Sequence, residues 1–143
     1  MLKFSKQGDY GLVLMVALAE QFPTGQWISL SDIAKEKNIS YLFLTQIIRP
    51  LKKEKLVEAK EGISGGYRLT KEPSAITVGS ILRSIIGNVE PSTCTTSDKT
   101  CERQDSCPAV SVWQAIQQKV DDVLDNTTLQ NLLDTAKTAK RIA

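Results

Sequence analysis

The stretch SLSDIAKEKNISYLFLTQIIRPLKKEKLVEAKEGISGGYRL, residues 29–69, contains two predicted helices followed by two predicted strands. Ser29, with an Asp three residues later, is typical of a helix start, so a short helix is expected there. Ser40 is a good N-cap for a second helix, from Tyr41 to about Lys55. Apolar residues at helical spacing predict that this second helix buries one stripe. The stripe consists of Leu44, Ile47, Ile48 and Leu51.

The end of this stretch predicts a β-hairpin, because residues 56–60 and 67–70 are strand-like and flank the glycine-rich turn EGISGG. An amphipathic helix is predicted upstream, over residues 6–21. Helix, helix, short turn, helix and hairpin is the order of a winged helix-turn-helix. We therefore predict a mostly α-helical fold with a small β-hairpin wing, in which residues 1–75 form the DNA-binding domain.

The sequence pattern changes in residues 76–143, where predicted helices are separated by a long segment without periodicity. Thr77 caps a helix that Gly87 closes, and residues 88–106 show no periodicity. Pro108 is well placed in the first turn of a long helix, and Thr127 or Thr128 caps a last one. The long helix carries a coiled-coil-like apolar seam, which predicts a C-terminal dimerisation helix and a homodimer. The seam consists of Val110, Trp113, Ile116, Val120, Val123 and Leu124.

Composition narrows the function classes. The chain has 143 residues, 18 Lys+Arg against 16 Asp+Glu, three Cys and no His. Without His there is no His general base, no Ser-His-Asp triad and no His-containing zinc site. No nucleotide-binding glycine motif or paired-carboxylate pocket is visible, so the chain is not expected to be an enzyme. An odd number of Cys, no secretory signal and no membrane-spanning apolar run predict a cytoplasmic protein that does not bind a membrane.

The basic side chains are concentrated in and around the predicted second helix and the hairpin wing, the elements expected to contact DNA. Residues 49–71 carry seven basic against three acidic residues. Gln46 and Arg49 can make bidentate bonds to base edges, whereas Ser40 and Thr45 suit phosphates or methyl groups. Double-stranded DNA is therefore the predicted partner; a hairpin that only closes the core, or a protein-binding adaptor, is the alternative. The predicted DNA contacts are Ser40, Tyr41, Thr45, Gln46, Arg49 and Lys52 in the helix and Lys60, Gly65, Gly66, Tyr67 and Arg68 in the wing.

The three cysteines form a candidate metal site. Cys94, Cys101 and Cys107 have the spacing C-x6-C-x5-C in a polar segment. Three thiolates favour zinc or an iron–sulfur cluster but leave a tetrahedral set one ligand short. Cys107 precedes a helix start, where a thiolate gains from the helix dipole. Unconnected thiols, or one disulfide with a spare thiol, are the alternative.

Together these features resemble the winged-helix regulators of the IscR, NsrR and RirA type. The resemblance covers nearly the whole chain. It rests on MLKFSK before Asp9-Tyr10, Ile33-Ala34 to Ile39-Ser40-Tyr41-Leu42, Leu56-Val57 to Gly62-Ile63-Ser64-Gly65-Gly66-Tyr67-Arg68-Leu69, and the three cysteines. It implies a homodimeric transcription factor, expected to be a repressor, whose cysteine loop in residues 76–143 holds an iron–sulfur cluster. A 4Fe-4S cluster is favoured over 2Fe-2S, and its redox state, damage or loss is expected to change DNA affinity.

The resemblance also implies a fourth cluster ligand. The branch like IscR uses a His three residues after its last Cys, but Val110 occupies that position here. The branch like NsrR uses an Asp near the N-terminus of the other protomer, which matches Asp9 of the partner subunit. The alternative role for Asp9 is to complement the dipole of the first helix. In the wing, Glu61 replaces an Arg common in relatives. The rival to a cluster sensor is a thiol-redox or zinc-bound regulator of the same fold.

Overall fold

The computed structural model describes residues 5–96 and 101–142; the first four residues of the stretch that carries the resemblance lie outside this part of the chain. The predicted fold class is confirmed, because the described residues are mostly helical and include one antiparallel hairpin. The elements are α1 (Lys6–Gln21), α2 (Leu30–Lys37), α3 (Tyr41–Lys53), β1 (Val57–Lys60), β2 (Gly66–Leu69), α4 (Val78–Ile86), α5 (Val110–Asn126) and α6 (Leu129–Ile142).

Side-chain caps explain where several helices begin. The Ser29 hydroxyl accepts a bond from the Asp32 N–H at 3.1 Å, and the Thr77 hydroxyl accepts one from the Ser80 N–H at 3.1 Å, as predicted. Thr128, one of the two predicted caps of α6, accepts from the Asn131 N–H at 3.2 Å. Ser40 occupies the N-cap position of α3, but its side chain makes no capping bond. Its hydroxyl therefore stays available to a ligand.

Two helix boundaries differ from the predictions. α3 ends at Lys53 rather than about Lys55, because Lys55 adopts a left-handed φ of 57° that a helix cannot continue. The Leu56 N–H then closes the turn on the Leu51 carbonyl at 3.0 Å. α5 begins at Val110, so Pro108 lies before the helix rather than in its first turn.

The wing is fastened to the body of the protein by a third extended piece. In the hairpin, Val57 lies opposite Leu69 and Lys60 lies opposite Gly66. Ile28 exchanges two backbone bonds with Tyr67, at 3.1 and 2.8 Å. Gly66 permits this approach, because a Cβ there would collide with the Ile28 carbonyl and its φ is 147°.

The core is built around α1, which packs against α3, α4, α6 and β2. The core extends past residue 75, since Ile76 and Ile81 are buried together with Leu129 and Leu133 of α6. The division of the chain at residue 75 stays a prediction about function, and the two segments share one core. No described helix combines the length and apolar character that a bilayer crossing requires.

Candidate nucleic-acid interface and cysteine loop

One face of α3 is fixed by the core, which determines the face that points outward. The predicted stripe from Leu44 to Leu51 is buried, and Phe43 packs edge-on against Tyr10 with ring centroids 5.3 Å apart. The residues predicted to contact DNA lie mostly on the opposite side of the helix. Those exposed there are Ser40, Tyr41, Gln46, Arg49 and Lys52. α3 therefore presents a polar and basic surface held rigidly by its apolar side.

Thr45 and Leu42 depart from the sequence-based expectation. The Thr45 hydroxyl donates to the Leu42 carbonyl at 2.6 Å and is half-buried, so its proton is already committed. Leu42 was not predicted as a site residue, yet it is 71% exposed. It lies four and seven positions before Gln46 and Arg49, which places all three on one helix face. The spacing of four and seven residues is the sequence signal from which Leu42 could have been assigned to this face.

The outward face of α3 carries positive charge that no carboxylate of the described residues neutralises. In the part of the chain that the structure describes, neither Arg49 nor Lys52 pairs with a carboxylate. Unpaired basic side chains on one face attract the phosphate backbone of nucleic acids. The arrangement suits a helix that lies against duplex DNA.

In the wing, Arg68 is more engaged than the sequence suggests. Its Nε donates to Glu58 Oε1 at 2.6 Å, and its guanidinium lies 4.2 Å from the centroid of the Trp27 ring. The Lys60 ammonium lies 5.9 Å from the same ring. Arg68 and Glu58 are directly opposite in the hairpin register, so the pair follows from strand pairing. The contact with Trp27 joins distant parts of the chain, and no local sequence signal pointed to it.

The remaining predicted wing residues are half-buried. A Cβ at Gly65 would collide with the Lys60 carbonyl, as one at Gly66 would with Ile28. Tyr67 packs against the main core. These three residues have structural roles that account for their presence, and their contact with DNA stays a prediction.

In the cysteine loop, residues 88–109, Gln104 connects the two parts that the structure describes, residues 88–96 and 101–109. The Gln104 side chain donates to the Cys94 carbonyl at 3.2 Å, and its backbone N–H donates to the Cys101 carbonyl at 3.2 Å. The Cys107 carbonyl accepts from the Val110 N–H at 3.3 Å, next to the start of α5. All three thiols are free and half-buried. These bonds connect the described parts of the loop, residues 88–96 and 101–109, and the three thiols stay partly accessible to solvent.

The chemistry of the donor set suits a soft metal. Three sulfur donors without His favour iron–sulfur or zinc over magnesium or calcium. Within the described residues of one chain, however, no three Cys, Asp or Glu side chains converge as metal ligands would. Asp9 lies exposed in the first turn of α1. The residue types therefore suit an iron–sulfur centre. The described residues of one chain do not bring them together around one point.

A polar network joins the cysteine loop to α4. The Gln117 side chain of α5 donates to the Val89 carbonyl at 3.0 Å and to Asp121 at 3.1 Å. Arg83 of α4 in turn donates to Asp125 at 2.5 Å and to Asp121 at 3.2 Å. The hydrogen bond from Arg83 holds the pKa of the Asp125 carboxyl below its usual range, and Asp125 raises the pKa of Arg83.

The predicted seam of α5 splits into two faces. Leu124 is buried against Val78 and Leu82 at the contact between α4 and α5, and it also borders an apolar groove of α5. Val112 and Val123 are 58% and 64% exposed. They line this apolar groove together with Ala115, Ile116 and Val120. The prediction treated the two faces of α5 as one apolar stripe, and Val112 was therefore left out of it.

A helix-turn-helix with an outward basic face, followed by a hairpin wing, defines a winged-helix DNA-binding regulator. Residues 4–135 match the Rrf2 family, described as iron-dependent transcriptional regulators, and the chain belongs to this family. It is a family of transcriptional regulators and not of enzymes, which confirms that expectation.

Individual relatives agree with this assignment. The chain is 37% identical to the transcriptional regulator CymR of Bacillus subtilis (strain 168) over 131 residues, 92% of this chain and 89% of that protein. It is 29% identical to IscR of Yersinia enterocolitica, over 93% of this chain and 80% of that one. The solved structure of B. subtilis CymR, titled the global cysteine regulator, matches with a TM-score of 0.78 at 36% identity, covering 94% of this chain and 98% of that one. The solved structure of T. potens IscR matches with a TM-score of 0.74 at 34% identity, covering 96% of this chain and 90% of that one. The predicted resemblance is confirmed.

Proposed function

We propose that this protein is a homodimeric repressor that reads duplex DNA with α3 and the wing. The observation that carries the proposal is the outward face of α3, where Gln46 and Arg49 are exposed and Arg49 and Lys52 find no acidic partner in the described residues. Gln and Arg recognise adenine and guanine by paired hydrogen bonds, and Lys contacts phosphate. The proposed DNA contacts are Ser40, Tyr41, Thr45, Gln46, Arg49 and Lys52, with Lys60, Gly65, Gly66, Tyr67 and Arg68 in the wing.

The proposed homodimer forms through the apolar groove of α5. Val112 and Val123 are each more than half exposed there, and Ala115, Ile116 and Val120 complete the surface. Exposed apolar rows on one helix are typical of helix pairing between subunits. A dimer of this class is expected to read two half-sites one helical turn of the duplex apart, about 34 Å, with one α3 helix in each.

We further propose that the cysteine loop controls DNA affinity by holding an iron–sulfur cluster, with 4Fe-4S favoured over 2Fe-2S. Cys94, Cys101 and Cys107 are the sulfur ligands, and Asp9 of the partner subunit is the proposed fourth. Such a cluster supplies redox and nitric oxide reactivity when bound. Asp9 lies in the first turn of α1, and α1 packs on α3 and α4. Restraint of Asp9 therefore acts on the helix that supports the reading helix.

A second candidate is a regulator that uses the same thiols without a cluster. The observation that favours it is that all three thiols are free and half-buried and that the described residues do not gather them around one point. One solved relative, CymR of Staphylococcus aureus, is described in an oxidised form. In this candidate, oxidation of the thiols or binding of zinc changes the path of the loop into α5.

Anaerobic native mass spectrometry of the full chain separates the two candidates. The cluster proposal predicts a dimer whose mass includes iron and inorganic sulfide, and Asp9→Asn should shift its visible absorption. A dimer that carries zinc alone, or no metal, supports the second candidate. A monomer contradicts the proposed assembly in both cases.

A further inference from the structure

Leu42 is an apolar side chain in a place where the core does not need it. It is the second residue of α3 and is 71% exposed, although Leu44, Ile47 and Ile48 of the same helix are buried. Its neighbours Tyr41 and Phe43 do not cover it. A single exposed Leu is ordinary on a protein surface, so its exposure alone identifies no partner, and its place on the helix decides what it can contact.

The helix geometry shows what surrounds Leu42. Residues four and seven positions later share its face, and these are Gln46 and Arg49. All three side chains are exposed, and Arg49 lies on the basic surface that α3 presents. In helix-turn-helix proteins the N-terminal residues of the second helix approach the base edges in the major groove. Leu42 therefore stands beside two residues that are suited to purine edges.

We propose that Leu42 is a specificity-determining residue that recognises the C5-methyl group of a thymine in the operator half-site. Thymine is the one base that presents an apolar group in the major groove, and an aliphatic side chain is its complement. Gln46 and Arg49 read the neighbouring purines on the same face. This inference rests on the proposed contact of α3 with DNA and adds the base class that this position selects.

The test begins with duplex DNA selected from a random-sequence library by the full-length protein. In the selected duplex, each thymine is replaced in turn by deoxyuridine, which removes only the methyl group. Replacement at one thymine per half-site should weaken binding about fourfold, the effect of one buried methyl-sized group. Leu42→Ala should bind the thymine and deoxyuridine duplexes equally.

Two control variants separate base recognition from general effects. Leu42→Met keeps an apolar group of similar volume and should retain the preference for thymine. Ile142→Ala removes another exposed apolar side chain, 82% exposed at the end of α6, and should leave the preference unchanged. Leu42→Ala is expected to fold normally, because Leu42 is exposed and Ala is the best helix former.

The possible failures are distinguishable. If no sequence is enriched from the library, the proposed DNA reading by α3 fails and the role of Leu42 fails with it. If a duplex is enriched but no thymine methyl matters, or if Leu42→Ala keeps the preference, only the assignment of Leu42 is wrong. If Leu42→Ala changes the oligomeric state instead, Leu42 contacts protein and the assignment is also wrong.

Discussion

Replacing Gly66 by Ala tests how the wing is fastened to the rest of the protein. Gly66 has a φ of 147°, and a Cβ there would meet the backbone carbonyl of Ile28. The unfavourable φ costs about 1–3 kcal/mol. The collision between the added Cβ and the carbonyl destabilises the folded state by a further ~1–3 kcal/mol, as extra methyl groups do at other well-packed sites. Because Ile28 exchanges two backbone bonds with Tyr67, the added methyl also forces these bonds to lengthen.

Gly62→Ala is the matched control. Its φ of 105° is also unfavourable, but nothing lies within 4 Å of the position a Cβ would take. The control therefore isolates the backbone strain. In thermal unfolding we expect Gly66→Ala to lower Tm by about 10 °C and Gly62→Ala by only a few degrees, at about 2–4 °C per kcal/mol. Equal effects of the two variants would refute the proposed close packing between the wing and Ile28.

Three further predictions concern the reading face, the α4–α5 contact and the dimer. Arg49→Ala should weaken binding to the selected duplex by about 1–3 kcal/mol and relax its sequence preference, whereas Lys52→Ala should weaken binding to all sequences and reduce the salt slope by about one, both measured by anisotropy titration. The lowered pKa of Asp125 means that its pairing with Arg83 contributes stability above the ordinary Asp pKa of about 3.9 and loses it as the pH falls through the lower folded value. Asp125→Asn should therefore flatten the dependence of Tm on pH as the pH falls below about 4, where the unfolded chain binds this proton before the folded chain does, and an unchanged slope would show that the pair does not contribute. Val123→Asp should convert dimer to monomer in analytical ultracentrifugation, and the monomer should still unfold cooperatively, because Val123 is 64% exposed in a single chain; a variant that stays dimeric would contradict the proposed interface.

The parts of the fold that the sequence predicted well are those with local causes. The stripe from Leu44 to Leu51 repeats at the helical period, so α3 and its buried face followed directly. The caps at Ser29 and Thr77 are short-range hydrogen bonds and were placed correctly. The glycine-rich turn between two strand-like runs was sufficient to predict the wing.

The features that were missed depend on contacts between distant residues. Trp27 meets Arg68 only after the extended piece before α2 pairs with the wing. The seam of α5 was predicted to form one interface, but Leu124 is buried against α4. The spacing of apolar residues along a helix does not show which neighbour each face contacts. Leu42 was left out of the buried stripe, but the sequence did not identify it as a residue of the outward face. Whether the three thiols converge is determined by the path of the loop, which no local pattern in the sequence specifies.

We propose that the three thiols of the cysteine loop govern how tightly the protein binds its operator. The most direct test is the anaerobic affinity for the selected duplex of the wild type and of the variant with Cys94, Cys101 and Cys107 all replaced by Ser. The affinity of the wild type should change on exposure to oxygen or nitric oxide, and the affinity of the variant should not. A wild type that is free of metal and binds as tightly as the variant under every condition would contradict this proposal.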